Sequence, residues 1–165
     1  MVFVPQDFTD ETFARPSVAS GVLYSDGFGR IMLVNPTYKD YWDIPGGYVR
    51  VGETPRQALR REIGEELGTA LPIGPLLIAD WAPLQDEGDK MLFVFDGGVL
   101  TEHQLATIRV DNVEISEYAY HDRSDLDRLL IPRLARRLHA AIDARAKAAT
   151  VYLEHGRQTQ LVEER

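Results

Sequence analysis

Runs of apolar residues, separated by short polar turns, divide the chain into strand-like and helix-like segments. The strand-like runs are rich in β-branched and aromatic residues and are bounded by turn-forming residues, which is typical of buried strands. They cover residues 17–24, 30–34, 44–49, 76–81, 91–95, 99–101, 117–121 and 151–153. The Asp26-Gly27 pair between the first two runs predicts a hairpin. Residues 44–49 fit a short strand or a loop, and the runs at 99–101 and 151–153 are expected at sheet edges.

One helix is predicted by sequence signals at both of its ends and by an apolar stripe along its length. Thr54 is the expected N-cap, Pro55 takes the first helical position, and Gln57 completes a capping box. Apolar residues then recur every four positions along one side of the helix, at Leu59, Ile63 and Leu67. Gly68 suits the left-handed position that often follows a helix. This helix is therefore expected to pack one side against a sheet.

Two further helices are predicted in the last third of the chain. Ser124 is the expected cap of a short helix that runs through Leu130. Pro132 opens a longer amphipathic helix to about residue 148, with Leu134, Leu138, Ala141 and Ile142 on its inward side. The same helix is basic through Arg133, Arg136, Arg137, Arg145 and Lys147. For this basic set, a solvated helix surface is favoured over an RNA-binding patch.

The mixture of strands and helices, with hairpins rather than regular βαβ alternation, indicates an α+β or α/β sandwich. At 165 residues and 44% hydrophobic residues, one domain covering residues 1–165 is expected. Within it, residues 1–16 are predicted to form an irregular N-terminal arm punctuated by Pro5 and Pro16. Residues 154–165 are predicted to form a polar C-terminal tail.

Charge and composition exclude several classes of protein. The formal net charge of -8 disfavours the binding of long nucleic acid through bulk electrostatics. No apolar run approaches the ~20 residues of a membrane span, and the first residues do not resemble a signal peptide. The chain has no cysteine, which excludes disulfides and thiolate metal sites. A cytoplasmic protein is expected, and an anionic substrate would need local positive charge, which a bound metal supplies.

A group of glutamates on the first helix is the strongest chemical signal. Glu62, Glu65 and Glu66 stand at i, i+3 and i+4 and share one side of the helix. Like charges this close repel by roughly 0.2–0.5 kcal/mol per pair, whereas a divalent cation would attract all of them. Carboxylate oxygens suit Mg²⁺ or Mn²⁺. A solvated acidic surface is the alternative, but a Pro-Gly-Gly turn before the helix and Glu53 one loop away favour a metal site.

The helix and the loop before it resemble the Nudix box, written G-x5-E-x7-R-E-U-x-E-E-x-G-U with U aliphatic. Eight positions fill the box in register: Gly47, Glu53, Arg61, Glu62, Ile63, Glu65, Glu66 and Gly68. The last aliphatic position is Thr69 here, a packing position whose change leaves the chemistry intact. The chain is therefore similar to the Nudix hydrolase family over residues 42–69, with the box from Gly47 to Thr69. The resemblance implies an α/β/α sandwich with a mixed β-sheet and a loop–helix–loop metal site.

The resemblance also implies roles for the charged residues of the box. Glu65 and Glu66 match the glutamates that bind metal in the family. Glu62 matches a position that is a metal ligand or supports the catalytic base. Arg61 and Glu53 match a pair that braces the loop against the helix through a bidentate contact.

Residues around the box are expected to complete the site. Gly46 and Gly47 allow close approach of the backbone to a phosphate, and the Gly46 position often adds its carbonyl to the metal in the family. Arg50 is a candidate phosphate contact, although a surface position is favoured. Family members often place a further carboxylate before the C-terminal helix. Glu114 and Glu117 are the candidates, and Glu117 is preferred because it opens the predicted strand.

Aromatic residues and histidines add little to this prediction. Tyr38, Tyr41 and Trp81 are candidates for stacking on a nucleobase, with core packing as the favoured interpretation. The four histidines are scattered and form no HExxH motif, so a zinc site is not expected.

Metal-binding carboxylates without a cysteine nucleophile indicate metal-assisted attack of water on phosphorus. The resemblance implies a Mg²⁺-dependent pyrophosphohydrolase, with Mn²⁺ as a substitute, that cleaves a nucleoside diphosphate linked to another moiety. ADP-ribose-like compounds and nucleoside triphosphates are both candidate substrates. The alternative is a catalytically silent, nucleotide-binding regulatory domain, which the complete set of box glutamates disfavours. The expected partner is a small nucleotide, without membrane or long nucleic acid, and a homodimer is left open.

Overall fold

The computed structural model describes residues 13–159, which form seven strands, four α-helices and one 3-10 turn. The strands are β1 (Ser17–Ser25), β2 (Ile31–Pro36), β3 (Gly46–Tyr48), β4 (Leu76–Trp81), β5 (Lys90–Val99), β6 (Ile115–His121) and β7 (Val151–Glu154). The helices are α1 (Pro55–Leu67), α2 (Glu102–Thr107), α3 (Leu126–Leu129) and α4 (Pro132–Ala146). The 3-10 turn, Arg123–Asp125, directly precedes α3.

All seven strands belong to one mixed sheet. Its order is β6-β2-β1-β5-β4-β7, and β3 pairs with β1 outside this row. β1 is parallel to β5 and β4 is parallel to β7, whereas the other pairs are antiparallel. β3 pairs with residues 19–21 of β1, and β2 meets the far end of β1 at Ser25. β3 therefore brings the glycines before the box against the central strand.

Each face of the sheet buries its own apolar cluster, because alternate residues of a strand point to opposite faces. On β2, Ile31 and Leu33 belong to one cluster, and Met32 and Val34 belong to the other. α4 packs on the first cluster and α1 packs on the second, through Leu134, Leu138 and Ala141 of α4 and Leu59, Ile63 and Leu67 of α1. The predicted α/β/α arrangement around a mixed sheet is confirmed.

The predicted signals at the ends of α1 are confirmed. The Thr54 hydroxyl accepts a hydrogen bond from the Gln57 N–H, and the Gln57 side chain accepts one from the Thr54 N–H. Pro55 is the first helical residue, and Gly68 ends the helix in the left-handed conformation with φ 68°. The helix start, its apolar side and its end therefore all follow from local sequence.

Several predicted boundaries are wrong. Ser124 is not a helix cap, because it lies inside the 3-10 turn and α3 begins after it without a side-chain cap. Residues 91–95 and 99–101 are not separate strands, since β5 is continuous to Val99 and lies between β1 and β4. α2 was not predicted, although Thr101 and Gln104 form a second capping box at its start. α2 is only six residues long and has no apolar stripe, so its cap was its one signal.

The predicted arm and tail lie partly outside the described residues. Residues 13–16, the described part of the arm, contain no strand or helix, and Pro5 lies outside. The tail predicted from residue 154 starts later, because Glu154 is the last residue of β7, and residues 160–165 lie outside. The prediction of one domain over the whole chain stays a prediction. Among residues 13–159, the helices are too short or too polar to cross a bilayer.

Candidate metal and substrate site

α1 carries the acidic residues of the site, and the sheet beneath it fixes their direction. Its apolar side is buried in the second cluster, which leaves Glu62 and Glu65 on the open side. β3 passes close to Glu62, since a Cβ at position 47 would lie 2.5 Å from the Glu62 Cδ atom. The Glu62 carboxyl group therefore rests on the backbone of Gly47, and a side chain at position 47 would displace it.

Arg61 is the centre of the charge network on α1. Its Nε and Nη2 atoms donate to the two oxygens of Glu53 at 2.7 and 3.0 Å. Its Nη1 atom donates to Glu62 at 2.6 Å and to Glu65 at 3.0 Å. The hydrogen bonds from Arg61 are the main reason that the pKa of Glu53 falls to about 2. Arg61 thus ties the loop that carries Glu53 to two glutamates of the helix.

Three carboxylates converge on the open side of α1. Oxygens of Glu62, Glu65 and Glu114 lie within 4.8 Å of one another. Partial burial, and then the negative charges of Glu62 and Glu65, raise the pKa of Glu114. An oxygen-only set at this spacing fits a hard divalent cation. Because the charges of Glu62 and Glu65 contribute to this rise, the cluster retains repulsion between its carboxylates, which a cation would relieve.

Glu66 lies apart from this cluster and is buried, with 6% of its surface exposed. Its Oε2 atom accepts a hydrogen bond from the Gly46 N–H at 2.9 Å. Burial raises the pKa of Glu66 to about 8; the Gly46 bond opposes this rise and the nearby carboxylates add to it. Near neutral pH, this carboxyl group can therefore both release and accept a proton.

The backbone at Gly46 is accessible only to glycine. Its φ is 145°, and a Cβ there would overlap the carbonyl oxygen of Ser20 on β1. The N–H of Gly46 is occupied by Glu66. The expectation that the Gly46 carbonyl joins a metal stays a prediction.

The structure places the two candidate carboxylates outside the box differently. The β6–β2 register sets Glu117 opposite Asn35, whose Nδ2 atom donates to the Glu117 carboxylate at 3.2 Å. Glu117 is therefore not in the described carboxylate cluster, whereas Glu114, immediately before β6, is. Arg50 is an exposed residue whose Nη2 atom lies 3.8 Å from the Glu65 carboxylate. Its predicted contact with a phosphate stays a prediction.

A cavity of about 370 Å³ opens beside the box. Gly46, Gly47 and Glu66 line it from the box side, and Arg133 and Arg137 line it from α4. The cavity therefore reaches from the box to the first turns of the C-terminal helix. Its volume is within the range of small-molecule sites.

Cationic side chains of this cavity were not predicted as site residues. They are Lys39, Lys90, Arg133 and Arg137. Three of them have carboxylate partners: Lys39 with Asp43 at 2.8 Å, Lys90 with Glu87, and Arg137 with Asp80 at 2.7 Å. Of the aromatic candidates, Tyr38 and Tyr41 are among the lining residues, and Trp81 is not.

The prediction of a solvated basic surface on α4 is wrong for two of its residues. Arg137 is buried, and Arg145 donates to the Leu23 carbonyl and pairs with Asp96 at 2.7 Å. A signal for Arg137 was present in the sequence. Arg137 lies three residues after Leu134 and four before Ala141, on the side of the helix that was predicted to face inward.

Comparison with known protein families assigns the chain to one of them. A model of the NUDIX domain matches residues 15–143, which is most of the chain. The chain belongs to the Nudix family, as the box predicted.

Curated relatives match the chain over shorter stretches. A MutT-like protein of Streptomyces ambofaciens is 32% identical over 72 residues, which cover 44% of this chain and 46% of that protein. An RNA pyrophosphohydrolase of Halorhodospira halophila is 37% identical over 65 residues, 39% of this chain and 33% of that protein. The match thus spans less than half the length of these relatives.

A solved structure supports the fold over a much larger part of the chain. The MutT protein of Methanosarcina mazei superposes with a TM-score of 0.65 at 22% identity. The superposition covers 82% of this chain and 99% of that protein. At this identity the likeness concerns the fold alone.

Proposed function

We propose that the chain is a Mg²⁺-dependent pyrophosphohydrolase, with Mn²⁺ as a substitute ion. It cleaves the diphosphate of a nucleoside diphosphate linked to another moiety, such as an ADP-ribose-like compound or a nucleoside triphosphate. The observation that carries the proposal is the convergence of Glu62, Glu65 and Glu114 oxygens within 4.8 Å. The cluster adjoins the cavity at Gly47, which lines the cavity and lies against the Glu62 carboxyl group. Similarity to an RNA pyrophosphohydrolase supports the reaction class.

In this proposal, Glu62, Glu65 and Glu114 hold the cation, which would neutralise phosphate oxygens and lower the pKa of an attacking water. Arg61 keeps two of these carboxylates in place, because its Nη1 atom donates to both of them. Glu66 lies outside this cluster and has a different role. With its pKa near neutrality and its place in the cavity wall, Glu66 suits the role of proton acceptor.

The two glycines before the helix position the diphosphate. Without side chains at Gly46 and Gly47, the substrate can approach the backbone of β3 and lie next to Glu66. Holding the reacting groups in one orientation removes much of the entropic cost of the reaction. The cut is therefore expected between two phosphorus atoms, because the carboxylates and glycines address the diphosphate and not the base.

Activity is expected to require a hard divalent cation. The full chain is incubated with ADP-ribose and with nucleoside triphosphates in Mg²⁺, and products are separated by chromatography. ADP-ribose should give AMP and ribose 5-phosphate, whereas a triphosphate should give a monophosphate and pyrophosphate. EDTA should abolish turnover, and Mg²⁺ or Mn²⁺ should restore it, because the cluster offers only oxygen ligands.

The same reaction in ¹⁸O-water should place the label in a phosphate product. Unchanged turnover in EDTA would exclude the metal site. Binding of these nucleotides without hydrolysis under any metal would instead support the silent, regulatory domain.

Glu114→Gln is expected to lower turnover more than Glu117→Gln. The sequence favours Glu117, but the structure brings Glu114 into the carboxylate cluster and pairs Glu117 with Asn35. Loss of one charged group of the cluster should lower kcat by about 10²-fold or more, whereas Glu117→Gln should stay within a few-fold of wild type. The two rates are measured side by side with melting temperatures as a control. A larger loss of turnover in Glu117→Gln would indicate that Glu117, and not Glu114, is the additional carboxylate of the site.

A further inference from the structure

Arg133 and Arg137 are two cations on successive turns of one helix, and both line the cavity. Their spacing of four residues places like charges side by side, which is unfavourable unless another group compensates them. Asp80 compensates Arg137 through Nε, at 2.7 Å. Among residues 13–159, the guanidinium of Arg133 has no hydrogen-bond or ion-pair partner. This part of the cavity therefore holds more positive charge than its carboxylates neutralise.

Arg137 is also incompletely paired. Its side chain is 7% exposed, and its buried Nη2 atom has no hydrogen-bond partner in the described structure. The second oxygen of Asp80 accepts the Gly156 N–H at 3.0 Å, and Nη2 makes no hydrogen bond to either oxygen. A buried cationic nitrogen without a partner is costly, so such atoms are normally paired. The guanidinium of Arg137 is thus incompletely paired, and Arg137 is one of the residues that line the cavity.

Burial lowers the pKa of Arg137, and the charge of Arg133 adds to this effect, while Asp80 opposes it. The other two cations of the cavity differ from this pair. Lys39 and Lys90 each have their own carboxylate, in Asp43 and Glu87. The surplus positive charge is therefore localised on the first turns of α4.

We propose that Arg133 and Arg137 form a subsite for an anionic group, a phosphate or a carboxylate, on the part of the substrate that is not hydrolysed. The inference rests on the proposed function, since the same cavity contains Gly46, Gly47 and Glu66. A substrate whose diphosphate lies at the box extends toward α4. An oxygen anion there would pair with Arg133 and offer an acceptor to the guanidinium of Arg137. The preferred substrates are then nucleoside diphosphate derivatives with a second anionic group.

Three pairs of compounds test this preference, because the members of each pair differ by one anionic group. ADP-ribose 2′-phosphate is compared with ADP-ribose, coenzyme A with its 3′-dephospho form, and UDP-glucuronate with UDP-glucose. The first two pairs probe a phosphate and the third probes a carboxylate. Binding is measured by calorimetry in EDTA, where turnover does not interfere, and kcat/KM is measured separately in Mg²⁺.

In at least one pair, the wild-type chain is expected to bind the member with the additional anionic group about tenfold or more tightly than the member without it. Arg133→Gln should reduce that ratio to about one without weakening the binding of the member that lacks the additional group. Arg133 suits this test because, among the described residues, its guanidinium makes no hydrogen bond or ion pair that the substitution would remove, and only its charge acts on Glu87. Arg136→Gln is the matched control. Arg136 lies on the same helix but donates to the His155 carbonyl and does not line the cavity.

Equal binding within all three pairs, or no measurable binding of any of the six compounds, would overturn the subsite. Equal weakening of both members by Arg133→Gln would do the same, and so would a loss of the ratio in Arg136→Gln. Failure of the proposed function has a different signature. A binding ratio that depends on Arg133, without hydrolysis of any compound in Mg²⁺, would support the anion subsite and contradict the proposed hydrolase activity. Hydrolysis without any difference in binding within the pairs would support the hydrolase activity and contradict the subsite.

Discussion

Glu65→Gln and Glu66→Gln are each expected to lower kcat by about 10²–10³-fold, the effect of losing a key electrostatic group in an active site. Glu65 is one of the three converging carboxylates, and glutamine would keep its shape but remove its charge. Glu66 lines the cavity with a pKa of about 8, and glutamine cannot take a proton from water. Turnover is measured in saturating Mg²⁺ with whichever nucleotide the wild type hydrolyses.

Folding of these variants is checked in the same experiment. Arg60→Gln is the matched control, since Arg60 is an exposed residue of α1 and its loss should leave kcat unchanged. Near-normal turnover in both glutamine variants would contradict the assignment of the site. A similar loss in Arg60→Gln would instead indicate a general effect of changing the helix.

The stability of Glu66→Gln in EDTA gives a second readout that does not depend on turnover. The folded-state pKa of Glu66 is raised from 4.5 to about 8, so the folded protein binds this proton more tightly than the unfolded chain. Wild-type stability from this group is therefore present below the unfolded value and declines as pH rises from about 4.5 to about 8. Glutamine does not titrate. Relative to wild type, the Tm of Glu66→Gln should rise across this range, and a constant difference would contradict the burial effect.

Much of the fold could be predicted because local and tertiary signals agree. The start of α1 follows from Thr54 and Gln57, and its buried side follows from residues spaced by four. α2 could not be predicted with the same ease. Its cap at Thr101 has the same chemistry, but no apolar period supports it, and the helix itself contributes only the partly buried Leu105 to an apolar cluster. A cap is a weak signal unless a buried side accompanies it.

The site residues also differ in how well the sequence predicts their positions. Residues that are close in sequence, such as Arg61 and Glu65, could be placed together because one helix carries both. The sequence favours Glu117 over Glu114 without a sound basis, because the choice depends on the β6–β2 register, which sets Glu117 opposite Asn35. A strand register is fixed by pairing between distant segments, and a shift of one residue would turn each side chain to the other face.

The burial of Arg137 on the cavity side of α4 could not be predicted from the sequence, for another reason. Helical periodicity places Arg137 on the inward side, but an arginine there is buried only when a partner meets it. That partner is Asp80 on β4, 57 residues earlier in the chain. A basic helix is ordinarily solvated, so the sequence alone favours the wrong environment for Arg137. The buried ion pair between Arg137 and Asp80 therefore stabilises the fold and also holds Arg137 in the wall of the cavity.

Asp80→Ala is expected to lower the free energy of unfolding by about 3–5 kcal/mol, the usual cost of removing one partner of a buried ion pair. Asp80 is 0% exposed, and its two oxygens accept from Arg137 and from the Gly156 N–H. Alanine would leave the buried guanidinium without a counter-charge and the amide without an acceptor. Urea unfolding of the full chain measures the change, provided that one cooperative transition is observed.

The matched control is Asp143→Ala, which removes the carboxylate of the exposed pair between Arg123 and Asp143. Because both side chains of that pair are about half exposed, its loss should cost no more than about 1 kcal/mol. The double variant Asp80→Leu with Arg137→Met should be more stable than Asp80→Leu alone, since no buried charge then remains unpaired. If Asp80→Ala costs no more than Asp143→Ala, the guanidinium of Arg137 must reach solvent or another anion. That outcome would also remove the buried, incompletely paired arginine on which the anion subsite depends.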